Sequence, residues 1–511
     1  MAACSGKNDR VPIRTAAIAG LLALAAIAAA CSDEQSSTTT APERPAAPST
    51  TTTTIVPGSE PALEPDWAWQ SGRPGPDDTT GATGRLDTVV LVGEGQPIGA
   101  TGPQAAPTGV GPVVVGLASA DGQVRFTTEA PADGSADQPR GVSASPTGAT
   151  LTCGSVRLQP AEVNGSDLWC STVGPDGTLG PRVGNGSEGD DEVSGVAMAP
   201  DGTYGYVSAT IDGLYPGAED PTGGFLGERD ALLLRTDPDG QPRWARQFGT
   251  QGDDRASAVG TIADGDAVVA GTASAEPFAF EDGSLRRGGA DAWVARSDPS
   301  GNQRWITPFG TSADDDGLAV AAGGDPTRGT ETVVGAGTTT GDVLVSTDGA
   351  EQLVAPGSTP AAGGTDVLVA GFDAAGRQQW ITQAGSPGDD RATAAVVDGA
   401  TVYVAGTAGA EIVGAQRVDV PGAPAGTTGG GSEAFLSAYD LATGTWRWTA
   451  LFGSAADEQV TGLALTDDGH VVVVGTTLGA VASTPLGGPT DAFAVAFPVG
   501  SAGGGGAASA V

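Results

Sequence analysis

The sequence predicts an all-β chain: a seven-bladed β-propeller of four-stranded antiparallel blades, closed by pairing of its N- and C-terminal strands. Three observations predict it. One pattern of about 60 residues recurs between residues 112 and 497, and self-similarity at that period means stacked supersecondary units. Each clear copy falls into four short apolar runs separated by turn residues, the unit of a propeller blade. The chain starts inside one repeat and ends inside another, so its two ends complete one unit between them.

The clearest copy runs from Asp291. DAWVARSD alternates as a strand, PSG turns, and NQRWITPFG returns as the second strand of a hairpin. The acidic pair Asp314/Asp315 follows, then a strand around Gly317–Ala322 and another around Glu331–Gly337. Copies starting at Asp230, Asp366 and Glu433 match closely. Their shared marks are Trp244, Trp305, Trp380 and Trp448, each 9 residues before an acidic pair. Apolar runs end on Gly-Thr at Gly271, Gly337, Gly406 and Gly475. Weaker copies start at Asp167, which has Pro181 in place of the Trp, and near Pro112, with Phe126 at that place. The last copy, DAFAVAFPVG from Asp491, stops after one strand, and WAWQSGRPGPDD from Trp67 reads as its missing continuation. Trp67–Gln70 should therefore pair with Asp491–Phe497. A ring closed in this way leaves no open sheet edge.

The ends read differently. Lys7, Arg10 and Arg14 precede an apolar Ala16–Ala30 stretch that is short for a membrane span, as in a secretory signal over residues 1–30. Residues 31–66 form a Ser/Thr/Pro-rich linker, 67–498 the propeller, and 499–511 a Gly/Ala tail expected to be disordered. A net charge of −37 repels phosphate backbones and argues against nucleic-acid binding. With Cys4 in the signal and Cys31 at its end, Cys153 and Cys170 remain, a plausible disulfide in an exported domain.

The AAAC at Ala28–Cys31 resembles a bacterial lipobox, which implies cleavage before Cys31 and lipid on its sulfur. The repeat D-A-F/W-V-A…D-P-S-G-N…W…F-G…G-D-D is similar to the bacterial SBBP propeller repeat family over roughly residues 67–497. That resemblance implies a propeller placed outside the cytoplasm, and no single activity. By analogy with related propellers, the strand after the acidic pair is innermost and the Trp strand outermost. Cys153 and Cys170 then lie on neighbouring antiparallel strands.

Chemistry is sparsely written. The acidic pairs Asp190/Asp191, Asp253/Asp254, Asp314/Asp315, Asp389/Asp390 and Asp457/Glu458, with a looser Asp77/Asp78, could hold Ca²⁺ or could fix turns by accepting backbone N–H bonds. The four repeated Trp residues suit packing between blades, whereas Trp67 and Trp446 fall outside the shared position and are the better candidates for exposure. His470 is the single histidine, which excludes His-rich metal sites and makes a Ser-His-Asp triad improbable. No P-loop, GxSxG or HExxH occurs. Long connections run from each Gly-Thr strand to the next opening acid and should emerge on one face. The expectation is a monomeric, non-catalytic, lipid-anchored surface propeller binding a protein, glycan or wall component through that face. The alternative is an extracytoplasmic carbohydrate-active hydrolase or lyase using channel carboxylates.

Overall fold

The computed structural model describes residues 58, 60, 62–71, 77–95, 111–129, 136–157, 165–218, 227–274, 289–324, 329–344, 354–424, 430–482 and 487–499. The signal, Cys31, most of the linker and residues 500–511 lie outside them.

Seven antiparallel sheets stand around one axis. Blade one comprises Asp77–Arg85, Thr88–Gly95, Gly111–Ala118 and Val124–Glu129. Blade two comprises Ala136–Ala144, Thr150–Arg157, Ser166–Thr172 and Val183–Asn185; blade three Asp191–Met198, Gly205–Ile211, Asp230–Thr236 and Pro242–Phe248. Blade four comprises Arg255–Thr261, Ala267–Ala273, Asp291–Ser297 and Gln303–Phe309; blade five Asp315–Gly323, Thr332–Thr339, Asp366–Asp373 and Gln378–Ala384. Blade six comprises Asp390–Asp398, Thr401–Ala408, Glu433–Asp440 and Trp446–Phe452, with the two-residue strand Gln416–Arg417 added in parallel outside. Blade seven takes Glu458–Leu465, His470–Thr477 and Asp491–Pro498 from the C-terminal end and Trp67–Gln70 from the N-terminal end.

The closure runs Trp67 opposite Ala496 through Gln70 opposite Phe493, as the truncated repeats require. The ring also grips the chain before Trp67: Gly58 N–H donates to the Trp446 carbonyl at 3.1 Å, and Ala62 and Leu63 pack on the core of blades six and seven. At the other end Val499, assigned above to the tail, is buried.

Each middle strand is covered on both faces by neighbouring blades, which is why it is a continuous apolar run rather than an alternating one. Val471–Val474 are all fully buried. The core therefore lies between blades. Inner strands differ: their exposed and half-buried positions alternate early in the strand, as in BeBiBBB patterns, because one face meets the central channel. Cys153 pairs in register with Cys170 across the second and third strands of blade two, and the two form a disulfide.

Candidate functional site

All seven inner strands carry a register shift at the same place, so one residue of each is pushed out of the ladder: Thr80, Arg140, Ser194, Ser257, Leu318, Thr393 and Thr461. These seven line one cavity of about 80 Å³ on the axis, the waist of the channel. The bulge explains the Gly-Thr signature. It brings the carbonyl two residues earlier so near the second strand that a Cβ on Gly337 would collide with the Asp316 oxygen. The bulged hydroxyls also clasp neighbours. Thr80 Oγ1 donates to Pro139 O at 2.6 Å and Thr393 Oγ1 to Val460 O at 3.0 Å, while Ser194 Oγ reaches Ala256 O. Among the described residues, the one ionisable group at the waist is Arg140, 3.3 Å from Glu192 at the mouth. Asp78 and Asp316 share that mouth ring with Arg255 and Arg391.

The repeated acids fix the crossovers between blades. The first member of each pair caps the incoming connection: Asp190, Asp314, Asp389 and Asp457 accept the N–H of Ser166, Ala290, Thr365 and Ser432 at 2.8–3.1 Å. Asp253 instead holds Arg229 at 2.7 Å. The second member is buried and accepts the N–H and hydroxyl of the Ser or Thr four residues earlier. Asp191 takes Ser187, Asp254 Thr250, Asp315 Thr311, Asp390 Ser386 and Glu458 Ser454. Burial pushes Asp191 up to about 6 and Asp315 up to about 7, and raises Asp254, Asp390 and Glu458. These acids are spread one to a blade. Among the described residues no three His, Cys, Asp or Glu side chains gather in a metal-holding group. The looser pair sits one residue out of step: Asp77 takes the register of the second acid, and Asp78 the exposed mouth position.

Trp244, Trp305 and Trp380 each donate an indole N–H to the turn between the third and outer strands of the next blade, at Pro299, Ala374 and Leu441 (3.0–3.1 Å). Trp305 and Trp380 lie over Gly376 and Gly444, whose left-handed φ is +78° and +67°. Trp448 is buried against Tyr403. Trp67 corrects the sequence reading. It stands opposite Ala496 as Trp448 stands opposite Ala438, is 6% exposed, and donates to Ser119 O at 2.8 Å. It is a fifth copy of the shared position, hidden because its strand opens the propeller while its opening acid, Asp491, lies at the other end. Trp446 is half-buried beneath Gly58 and Gly414. His470 joins Asp468 and Asp66 at 3.2 Å across the closure.

Glutamines at one outer-strand position were missed in the sequence. Gln70, Gln247 and Gln383 each donate to the opening acid of the third strand, Asp491, Asp230 or Asp366, at 2.7–2.9 Å. Each also donates to a glycine carbonyl at the start of a long connection: Gly479, Gly213 or Gly341. Each accepts an N–H from the same stretch, at Val481, Tyr215 or Val343. A Gln recurring three residues before a Ser or Thr, as in QFGT and QAGS, is the signal that could have found them.

These connections all leave by the face where inner strands begin, the longest from Thr339 to Asp366 and from Ala408 to Glu433. Leu214, Leu344, Val413 and Leu478 lie on them and are 57%, 50%, 63% and 44% exposed. The opposite face carries short turns such as Arg85 to Thr88 and Asp398 to Thr401.

No protein-family model and no curated protein sequence matches the chain. Solved structures are similar in fold. The β-propeller domain of the Trilobed protease from Pyrococcus furiosus aligns over 84% of this chain and 94% of its own, at 8% identity and TM-score 0.41. The Phage phi92 endosialidase aligns over 86% and 69%, at 10% and 0.41. A europium-containing methanol dehydrogenase aligns over 86% and 93%, at 10% and 0.39.

Proposed function

We propose that the chain is a non-catalytic binding propeller that meets a protein partner through the face carrying its long connections, displayed outside the cytoplasm on lipid attached to Cys31. The observation that carries this reading is the set of exposed apolar side chains, Leu214, Leu344, Val413 and Leu478, held on the same face by four different blades. Apolar residues repeated on one face of a rigid scaffold favour a macromolecular contact. The hydrolase or lyase reading draws less support. The waist carries hydroxyls, Leu318 and Arg140 rather than carboxylates, and the most strongly perturbed acids sit singly in separate blades. The N–H and O–H donors already on the acidic pairs support turn fixing over Ca²⁺ binding there.

The test is cross-linking in the native cells. Wild type is compared with a variant carrying Leu214→Ser, Leu344→Ser, Val413→Ser and Leu478→Ser, and with a Leu86→Ser control on the opposite face. A partner lost only from the first variant supports the reading; a partner captured equally by all three overturns it. Cys31→Ser should move the protein from the membrane to the soluble fraction.

A further inference from the structure

The seam between blades seven and one differs from the other seams. From blade three to blade seven, each seam sets the last outer-strand position of one blade against the third strand of the next. The residues at these two places are Phe248 and Trp293, which meet edge to face, then Phe309 and Leu368, Ala384 and Phe435, and Phe452 and Phe493, so each seam has at least one aromatic ring. At the seam of blades two and three, Tyr215 is buried in the corresponding cluster. At the closing seam the same two places hold Ser71 and Val113. A cavity of about 160 Å³ remains, lined by Trp69, Leu91, Val113, Val115 and Ala492. Ala492 is 7% exposed there, while Ala292 and Ala434, at the same position of blades four and six, are fully buried. A space of roughly 150 Å³ holds a benzene ring.

A third departure from the repeat opens on this cavity. In the six other blades the inner-strand mouth residue faces Ser or Thr: Ser155, Thr210, Thr272, Thr338, Thr407 and Thr476. In blade one it is Asp78, and it faces Glu94. Like charges directly opposite across a ladder repel. Burial raises the Glu94 carboxyl, Arg140 partly offsets this, and Asp78 adds to the rise; Arg140 also pairs with Glu192 at 3.3 Å. Ser71, Val113 and Glu94 are far apart in sequence, and all three line the same space.

We propose that the closing seam is a binding site for a small ligand that joins an apolar six-membered ring to an amine. The ring fills the space an aromatic side chain occupies in the neighbouring seams, against Trp69, Leu91 and Val113. The ammonium sits between Asp78 and Glu94 and relieves their repulsion. The site opens toward the long-connection face, at the seam of blades seven and one, and uses none of Leu214, Leu344, Val413 and Leu478.

The experiment measures binding of benzylamine and of neutral benzyl alcohol to the full chain by calorimetry, with thermal unfolding of each variant as the folding control. Both variants restore what other blades carry, Ser71→Phe and Glu94→Thr, so both should fold. Wild type should bind benzylamine saturably and about tenfold more tightly than benzyl alcohol. Ser71→Phe should lose both probes. Glu94→Thr should keep benzyl alcohol and bring benzylamine down to the same affinity. No saturable benzylamine binding by wild type overturns the proposal. So does binding that survives Ser71→Phe, or equal affinity for the two probes in wild type.

Discussion

Trp67→Ala tests whether the N-terminal strand closes the ring as a full repeat member. Trp67 is 6% exposed, so nearly all of its surface is lost to solvent. Burying 150–250 Å² at ~25 cal/mol/Å² gives roughly 4–6 kcal/mol, and measured truncations of buried Trp cost about 3–5 kcal/mol. Losing the 2.8 Å bond to the Ser119 carbonyl adds ~1 kcal/mol. The strand pairs over only four residues, so it can peel before the ring unfolds, which caps the loss at the cost of detachment. Expected is a loss of about 4 kcal/mol, within about 1 kcal/mol of Trp305→Ala and clearly above Trp446→Ala. The assay is urea unfolding followed by fluorescence, with limited proteolysis of the N-terminal segment at low urea. A loss under about 1 kcal/mol, or one that tracks Trp446→Ala, would refute the reasoning.

Gly376→Ala should cost about 1–3 kcal/mol in thermal unfolding, because φ is +78° and a Cβ would lie 2.6 Å from the Trp305 ring. Gly399→Ala, at φ +57° with open space around it, should cost less and so isolates the stacking contribution. Asp315 gives a pH signature. Its carboxyl is raised from 3.8 to about 7, so between those values the unfolded chain releases a proton that the folded chain keeps. Stability should fall as pH rises through that window and level off above it, on the order of 1–4 kcal/mol relative to Asp315→Asn in urea titrations. Reduction of Cys153–Cys170, which closes a separation of 17 residues, should cost about 3 kcal/mol, read as a lower melting temperature in dithiothreitol.

Much of this fold is legible without coordinates, since a propeller is built from local units. Each blade is a run of consecutive hairpins, so the period, the turn residues and the apolar runs suffice to place nearly every strand. The closure was legible for the same reason: Asp491–Pro498 lacks its partner, and Trp67–Gln70 is that partner. Repetition also blurs what it marks. Asp77/Asp78 looks like the other acidic pairs and sits one residue out of step, and Trp67 looks solitary because its opening acid lies at the far end of the chain.

The repeat alone gives the number of blades, the order of strands within them and the partner of the N-terminal strand; the adjacency of Cys153 and Cys170 came from the likeness to other propellers. These follow from hydrogen bonding between strands that are neighbours in the repeat. Tertiary structure alone decided what faces the axis and what meets across a seam. One bulge per inner strand sends Thr80, Arg140 and their equivalents into the channel; its only sequence mark, the Gly of Gly-Thr, lies on the neighbouring strand. Ser71, Val113 and Glu94 each look like an ordinary departure from a loose repeat. They become one cavity only when blade seven closes on blade one, because contacts between blades join residues that no local period relates.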